Sequence, residues 1–371
     1  MNEIALVNLK RQNKALEKEI KRALDETIQS ANFISGPQIE KFEKDFAKFC
    51  GAKYCIALSS GTAALELSLK ASGIKPGDEV ITVPNTFIAN VEAIISAGAK
   101  PVFADVDEST FNIDTENASQ KVTKKTRAIM PVDLYGHPCD LDPIMDMAAK
   151  HNLAVIEDAS QAHGAKYKGR KIGSIAHATS FSFYPGKNLG AFGDAGALTT
   201  NNPELAKKMK AISNHGRLQD EKYKHELVGN NYRMDELQAA ILNVKLKHLK
   251  DWVNARRAIA SKYREFIKTP NIEHPHEADY AQHAYHLYVI RTKRRDQLRK
   301  FLKSRGISTG IHYPLPLHLQ PALKFLGYKK GDFKVSEECS NTILSLPIYP
   351  ELKEDEIRFV SNEINNFFHR K

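Results

Sequence analysis

EVITVPNTFIANVEAIISAGAKPVFADV, residues 79–106, reads as strand, turn, helix and strand in one sweep. EVITV and PVFADV are apolar at nearly consecutive positions, as strands covered on both faces are, and TFIANVEAIISAG between them is long enough for a crossover helix. The same alternation runs from about Tyr54 to Thr200. YCIAL is followed by a helix from Ser60, and RAIMPV by LDPIMDMAAKH; then come AVIEDA, ATSFSF and GALTT. This pattern predicts an α/β fold with a mostly parallel sheet sandwiched by helices.

A long helical pattern follows from Met234 to about Ile267. After Pro270 the chain turns Pro- and His-rich, with a strand-like AYHLYVIRT, a basic amphipathic helix over Arg295 to Arg305 and a last helix from Glu354. At 371 residues the chain exceeds the size at which one core keeps growing. The expected division is a large domain over 1–245 and a smaller C-terminal α+β domain over 246–371, with the long helix as connector.

A hydrophobic fraction of 42% and a charged fraction of 26% are those of a soluble globular protein. There is no apolar run of membrane-spanning length, and MNEIALVNLKRQNK lacks the charged, apolar, small order of a signal peptide, so the expected location is the cytoplasm with no membrane partner. The four cysteines, Cys50, Cys55, Cys139 and Cys339, are scattered without metal-ligand spacing and read as buried thiols, with no metal expected. A net charge of +10 suits anionic partners. The basic residues are spread along the chain, though, and Arg11, Lys14, Lys18, Lys21 and Arg22 alternate with acids on an amphipathic helix. Small phosphate-bearing ligands are therefore expected rather than nucleic acid.

Lys187 sits in SFSFYPGKNLGAFGDAGAL, downstream of AVIEDASQAHGA, whose strand ends at Asp158. Strand alternation separates Glu157 from Asp158, so only one of them faces a site at the strand end. An amine and a carboxylate at one sheet edge are what an aldehyde cofactor such as pyridoxal 5'-phosphate needs, the first for a Schiff base and the second for its pyridinium nitrogen. In ALSSGTAAL, Ser60, Gly61 and Thr62 stand where a helix begins, either as a phosphate-binding turn or as a plain serine cap. Phe87 follows a strand on the same rim, free to stack on a flat ring or to join the core. Gln161 and His163 lie just behind Asp158.

Together SSGTAAL, VPNTFIAN, PVFADVD, PVDLYG, IEDASQAHGA, FYPGKNLGAFGDAGAL, NYRMDELQAAIL and GIHYPLPLH resemble the DegT/DnrJ/EryC1/StrS family of sugar aminotransferases, in that family's order and along nearly the whole chain. The resemblance implies fold type I, pyridoxal phosphate, a homodimer with shared sites, and transfer of an amino group from L-glutamate to a nucleotide-linked keto sugar. By motif, Lys187 would be the Schiff-base lysine and Asp158 the partner of the ring nitrogen. Phe87 would stack on the ring and Gln161 would bond its phenolic oxygen. Ser60, Gly61, Thr62 and Ser182 would hold the phosphate, with Asn231 arriving from the second subunit. His163, Tyr184, Arg217, His312, Tyr313 and His318 are the expected substrate contacts.

Gly186 before the lysine resembles the subgroup aminating carbon 3 of dTDP-3-keto-6-deoxyhexoses. Ala195 departs from a frequent glycine. The competing readings are a UDP-linked 3-keto-N-acetyl sugar, a 4-keto sugar, and a cofactor-binding regulatory protein.

Overall fold

The computed structural model describes residues 3–217 and 223–369. Its central sheet holds β1 (Tyr54–Leu58), β2 (Glu79–Thr82), β3 (Lys100–Phe103), β4 (Thr126–Ile129), β5 (Ala154–Asp158), β8 (Ala178–Ser182) and β9 (Gly196–Thr200). β6 (Lys166–Tyr167), β7 (Arg170–Lys171) and β10 (Ala281–Gln282) form a small ribbon, and β11 (Tyr288–Arg291) pairs with β12 (Ile343–Leu346). The strand order is β1-β9-β8-β5-β4-β2-β3. Only β9 runs against the rest, antiparallel to both β1 and β8, so the expected mostly parallel sheet is found.

Residue alternation divides two cores between the faces. Ile81, Ile129 and Val155 point to one, where helix Pro37–Cys50 brings Phe42 and Phe46. Val80, Ala128 and Ile156 point to the other, beneath helices Gly61–Ala71, Ala89–Ser96 and Pro203–Ser213. This two-sided burial is why the strands read as continuous apolar runs. With one strand reversed, the carboxyl ends of β1, β2, β4, β5 and β8 all open on the same edge, where ligand crevices form in such sheets.

The helical pattern from Met234 resolves into two helices, Glu236–Leu246 and Leu249–Phe266. No Gly or Pro marks the break at Lys247 and His248, and the apolar spacing continues across it. The first helix sends Ala239 and Leu242 into the sheet core; the second sends Ile259 and Tyr263 into a separate core with Tyr288, Leu298, Leu302, Leu346 and Val360. The chain's first described residues join this second core. Ile4 bonds through its N–H to Gly306 O at 2.8 Å and through its carbonyl to Ser308 N at 2.9 Å. Among the described residues no helix is long and apolar enough to cross a membrane.

Candidate active site

A cavity of about 620 Å³ opens at the carboxyl edge of the sheet. Its floor comes from the strand ends: Gly61 and Thr62 after β1, Phe87 and Asn90 after β2, Asp158 and Gln161 after β5, and Ser182 and Lys187 after β8. The chain beyond the long helix supplies His286, His312 and Tyr313, and the N-terminal segment supplies Leu6 and Val7.

Lys187 stands on a tightly held loop. Its N–H donates to Tyr184 O at 2.8 Å, and a Cβ on Gly190 would fall 2.3 Å from Pro185 O, so only glycine closes this turn. Beneath it the buried Lys245 ammonium donates to Gly190 O at 2.7 Å, and Asn188 Nδ2 donates to Ala284 O at 3.1 Å. Lys187 lines the cavity. Loss of water lowers its pKa to about 8, with Asp158 opposing the shift.

Asp158 ends β5 with both carboxylate oxygens bonded. Asn90 Nδ2 donates to Oδ2 at 2.9 Å and the Ser160 N–H donates to Oδ1 at 3.0 Å. Gln161 Oε1 accepts from the Tyr135 N–H at 2.8 Å, which turns the amide NH₂ toward the cavity, 3.5 Å from the Tyr313 hydroxyl. Burial, then the charge of Asp158, pushes the Tyr313 phenol up to about 12, so it remains a donor at neutral pH. His312 bonds Ser345 Oγ through Nδ1 at 2.8 Å; burial, helped by Lys187, brings it down to about 4. The Phe87 ring, 53% exposed, lies 5.9 Å from that of Tyr313 at a tilt of 40°.

At the start of helix Gly61–Ala71 the Ser60 hydroxyl accepts from the Ala63 N–H at 3.0 Å, so this side chain caps the helix while still bordering the cavity. The backbone approaches closely here. A Cβ on Gly61 would meet Ser182 Cβ at 2.7 Å, and one on Gly196 would meet the Ser60 carbonyl carbon at 2.3 Å. The result is a shallow cradle of backbone amides at the positive end of an 11-residue helix, flanked by Thr62 and Ser182.

Tyr184, 60% exposed, borders the cavity. His163 does not: it is fully buried against the rings of Phe181 and Phe183, at 5.5 and 5.6 Å, and burial lowers it to about 3. After Asp158 the chain turns back into the sheet core, carrying that imidazole away from the crevice. His318 is likewise enclosed, its Nε2 3.0 Å from Glu337 Oε1 and its ring against Phe333. Arg217 lines a different cavity with Glu43 and Lys210, and Asn231 is an exposed residue bridged to Asn214, outside the cavity of its own chain. Ala195 is buried in a backbone without positive φ, and its carbonyl accepts from the Phe183 N–H at 2.7 Å, so glycine is not required there. Asn90, His286, Leu6 and Val7 were not singled out from the sequence. Of these only Asn90 left a trace, three residues beyond Phe87 in VPNTFIAN, on the first turn of a helix.

The model of the DegT/DnrJ/EryC1/StrS aminotransferase family matches residues 14–365. The chain belongs to that family. It is a pyridoxal-phosphate-dependent sugar aminotransferase of fold type I. Over 98% of this chain it is 45% identical to a "Pleiotropic regulatory protein" of Geobacillus stearothermophilus, of which 98% is covered. It is 44% identical to a dTDP-3-amino-3,6-dideoxy-alpha-D-galactopyranose transaminase of Aneurinibacillus thermoaerophilus, over 98% of this chain and 99% of that one. It is 38% identical to a UDP-2-acetamido-2-deoxy-3-oxo-D-glucuronate aminotransferase of Pseudomonas aeruginosa, over 98% and 100%. The crystal structure of S. venezuelae DesV in complex with a ketimine intermediate superposes with a TM-score of 0.98 at 40% identity, covering 100% of both chains.

The residues present fit the cofactor of a DegT/DnrJ/EryC1/StrS aminotransferase. A desolvated amine, a carboxylate fixed at both oxygens, an amide aimed inward and a backbone cradle for a dianion all face one space. When bound, pyridoxal phosphate supplies an aldehyde that takes up the amino group and a cationic ring that accepts electrons.

Proposed function

We propose that the chain, acting in the cytoplasm as a homodimer with shared sites, transfers the amino group of L-glutamate to carbon 3 of a nucleotide-linked keto sugar, with a dTDP-3-keto-6-deoxyhexose as the preferred acceptor. The observation that carries this reading is the convergence of Lys187 and Asp158 on one cavity whose opposite wall offers Tyr313 and His312. A lysine with a pKa near 8 is part free base at neutral pH, so Lys187, once freed, would move a proton between the substrate carbon and the bound cofactor in each half-reaction. Asp158 would hold the proton on the ring nitrogen. Gln161 donates to the phenolic oxygen, and the cradle at Gly61, Thr62 and Ser182 anchors the phosphate, with Asn231 of a second copy assigned to the same group. Tyr313, as a phenol, donates to a sugar hydroxyl, and neutral His312 accepts from one.

The division near 245 belongs to the same reading: the cofactor side chains come mainly from the first part, while the second part adds His286, His312 and Tyr313 to the cavity lining. Carbon 3 is supported by the names of both transaminase relatives, which differ in nucleotide. The runner-up acceptors are therefore a UDP-linked 3-keto-N-acetyl sugar and, less favoured, a 4-keto sugar. A purely regulatory role needs neither Lys187 nor Asp158, and both are in place.

The deciding experiment incubates the protein and glutamate with matched 3-keto and 4-keto dTDP sugars and with a UDP-3-keto-N-acetyl sugar, reading products by mass spectrometry. Preference for the 4-keto compound refutes the positional assignment; preference for the UDP sugar rejects only the nucleotide.

A further inference from the structure

Behind Asp158 the fold buries two carboxyl groups that amino transfer does not use. Glu157, the preceding residue of β5, points to the opposite face of the sheet, and Asp133, in the turn after β4, comes up against it; both are fully enclosed. Glu157 Oε2 accepts from Thr179 Oγ1 at 2.7 Å, and Asp133 Oδ1 accepts from the Cys139 N–H at 2.8 Å. The other two oxygens, Glu157 Oε1 and Asp133 Oδ2, have no donor. The two side chains nevertheless lie within hydrogen-bonding reach of each other.

Buried acceptors do not stay unpaired, and two carboxylates in contact do not both stay ionised in a dry interior. A single proton between the two orphan oxygens resolves both problems. We propose that Asp133 and Glu157 form an acid–carboxylate pair holding one proton between them, and that its one remaining negative charge strengthens Asp158 as a proton-holding partner.

The environment is consistent on every side. From β5 comes the Asp158 charge, from β8 the Thr179 hydroxyl, from the loop before β8 the Gly173 N–H, and from the turn after β4 Cys139. Burial raises both acids, Asp133 well above the ordinary range and Glu157 to about 7, and Asp158 adds to each shift. The pair is also tied mechanically to Asp158, because the Asp133 N–H donates to Asp158 O at 3.0 Å and Val132 is bridged to Asp158. A fixed negative charge behind a carboxylate raises its affinity for a proton. Asp133 and Glu157 are thus positioning residues that act through Asp158. This second half of the proposal rests on Asp158 being the partner of the ring nitrogen.

Two measurements test it. Infrared difference spectra of the cofactor-free protein, in water and D₂O, compare the wild type with Glu157→Gln/Asp133→Asn. The double variant should lose the carbonyl band of one carboxylic acid; loss of none, or of two, overturns the shared proton. Glu157→Gln alone, in which the amide donates to an ionised Asp133, should lose the same band, so the test survives if the double variant does not fold.

The second measurement binds pyridoxal phosphate labelled with ¹⁵N and titrates the ring nitrogen by NMR. Replacing both carboxyl groups removes the pair's single charge and should lower the ring nitrogen's proton affinity by about tenfold, whereas either single amide, which leaves that charge on the other acid, should shift it much less. An unchanged ring nitrogen in the double variant refutes the coupling. Asp158→Asn in the same titration separates that failure from failure of the Asp158 assignment itself, because an unaffected ring there removes the premise.

Discussion

Asn90 donates its side-chain amide to Asp158 Oδ2 at 2.9 Å, so the first turn of the helix after β2 fixes the carboxylate at the end of β5. Asp158→Asn should keep the shape and lose the charge, lowering turnover by about two orders of magnitude if ~3 kcal/mol of transition-state stabilisation goes with it. Asn90→Ala removes one hydrogen bond to a charged group, worth about 1.5–3 kcal/mol, and should cost between about tenfold and a hundredfold, no more than the loss of the charge itself. Single-turnover absorbance with glutamate measures both. A larger loss for Asn90→Ala than for Asp158→Asn contradicts this order.

Lys187 sets a pH signature in the cofactor-free protein. A lysine whose pKa is lower folded than unfolded binds fewer protons in the native state between those values, so stability rises with pH across that window. Here it runs from about 8 to the ordinary lysine value of about 10.4, and Lys245, also lowered by burial to about 8, contributes in parallel. Lys187→Met should flatten part of the rise in thermal melts between these limits. With pyridoxal phosphate and borohydride, the wild type should gain a covalent adduct at position 187 and the variant none.

Two neighbouring glycines should respond in opposite ways. Gly196→Ala forces a Cβ to 2.3 Å from the Ser60 carbonyl carbon, which must displace the phosphate cradle. Overpacking of this kind costs about 1–3 kcal/mol or more, and cofactor affinity should fall with it. Gly186→Ser meets nothing nearer than Tyr184 at 3.9 Å and should fold normally. Melting temperature and cofactor titration check the pair.

Lys245→Met leaves the Gly190 carbonyl without its donor and takes the cation from over the Phe192 ring, 4.7 Å away. An unpaired buried acceptor costs about 1–3 kcal/mol. The variant should melt earlier and form the Lys187 adduct more slowly, because the loop carrying Lys187 loses its tether. Unchanged adduct kinetics would mean that the tether does not set the position of the lysine.

If sites are shared, an inactive Lys187→Ala chain mixed with a cofactor-deficient Asn231 variant should regain about a quarter of the sites by random dimer assembly. A stable, active monomer in light scattering contradicts sharing.

Much of the fold was legible in the chain. Strands buried on both faces announce themselves by apolar runs, and strand alternation alone separates Glu157 from Asp158. The break at His248 was not legible, because the apolar spacing runs through it and the change of partner is a tertiary event. Lys187 and Asp158 stood out because their chemistry is rare at strand ends. His163 and His318 show the limit: an imidazole near a motif can face the crevice or the core, and only the turn after Asp158 and the Glu337 contact decide. Leu6 and Val7 carry no chemical signal at all, since a wall built from a distant segment is invisible to local pattern.

That wall bears on how the chain is made. Ile4 joins Gly306 and Ser308, and Leu6 and Val7 border the cavity. The segment holding Ile4, Leu6 and Val7 is therefore seated only after Gly306 and Ser308, far along the chain, have been made and folded. Until about residue 310 is free of the exit tunnel, the crevice lacks one side, and a nascent chain can complete its central sheet without yet enclosing a cofactor. Enclosure of the cavity thus depends on the pairing of distant segments, the slow class of contact in folding.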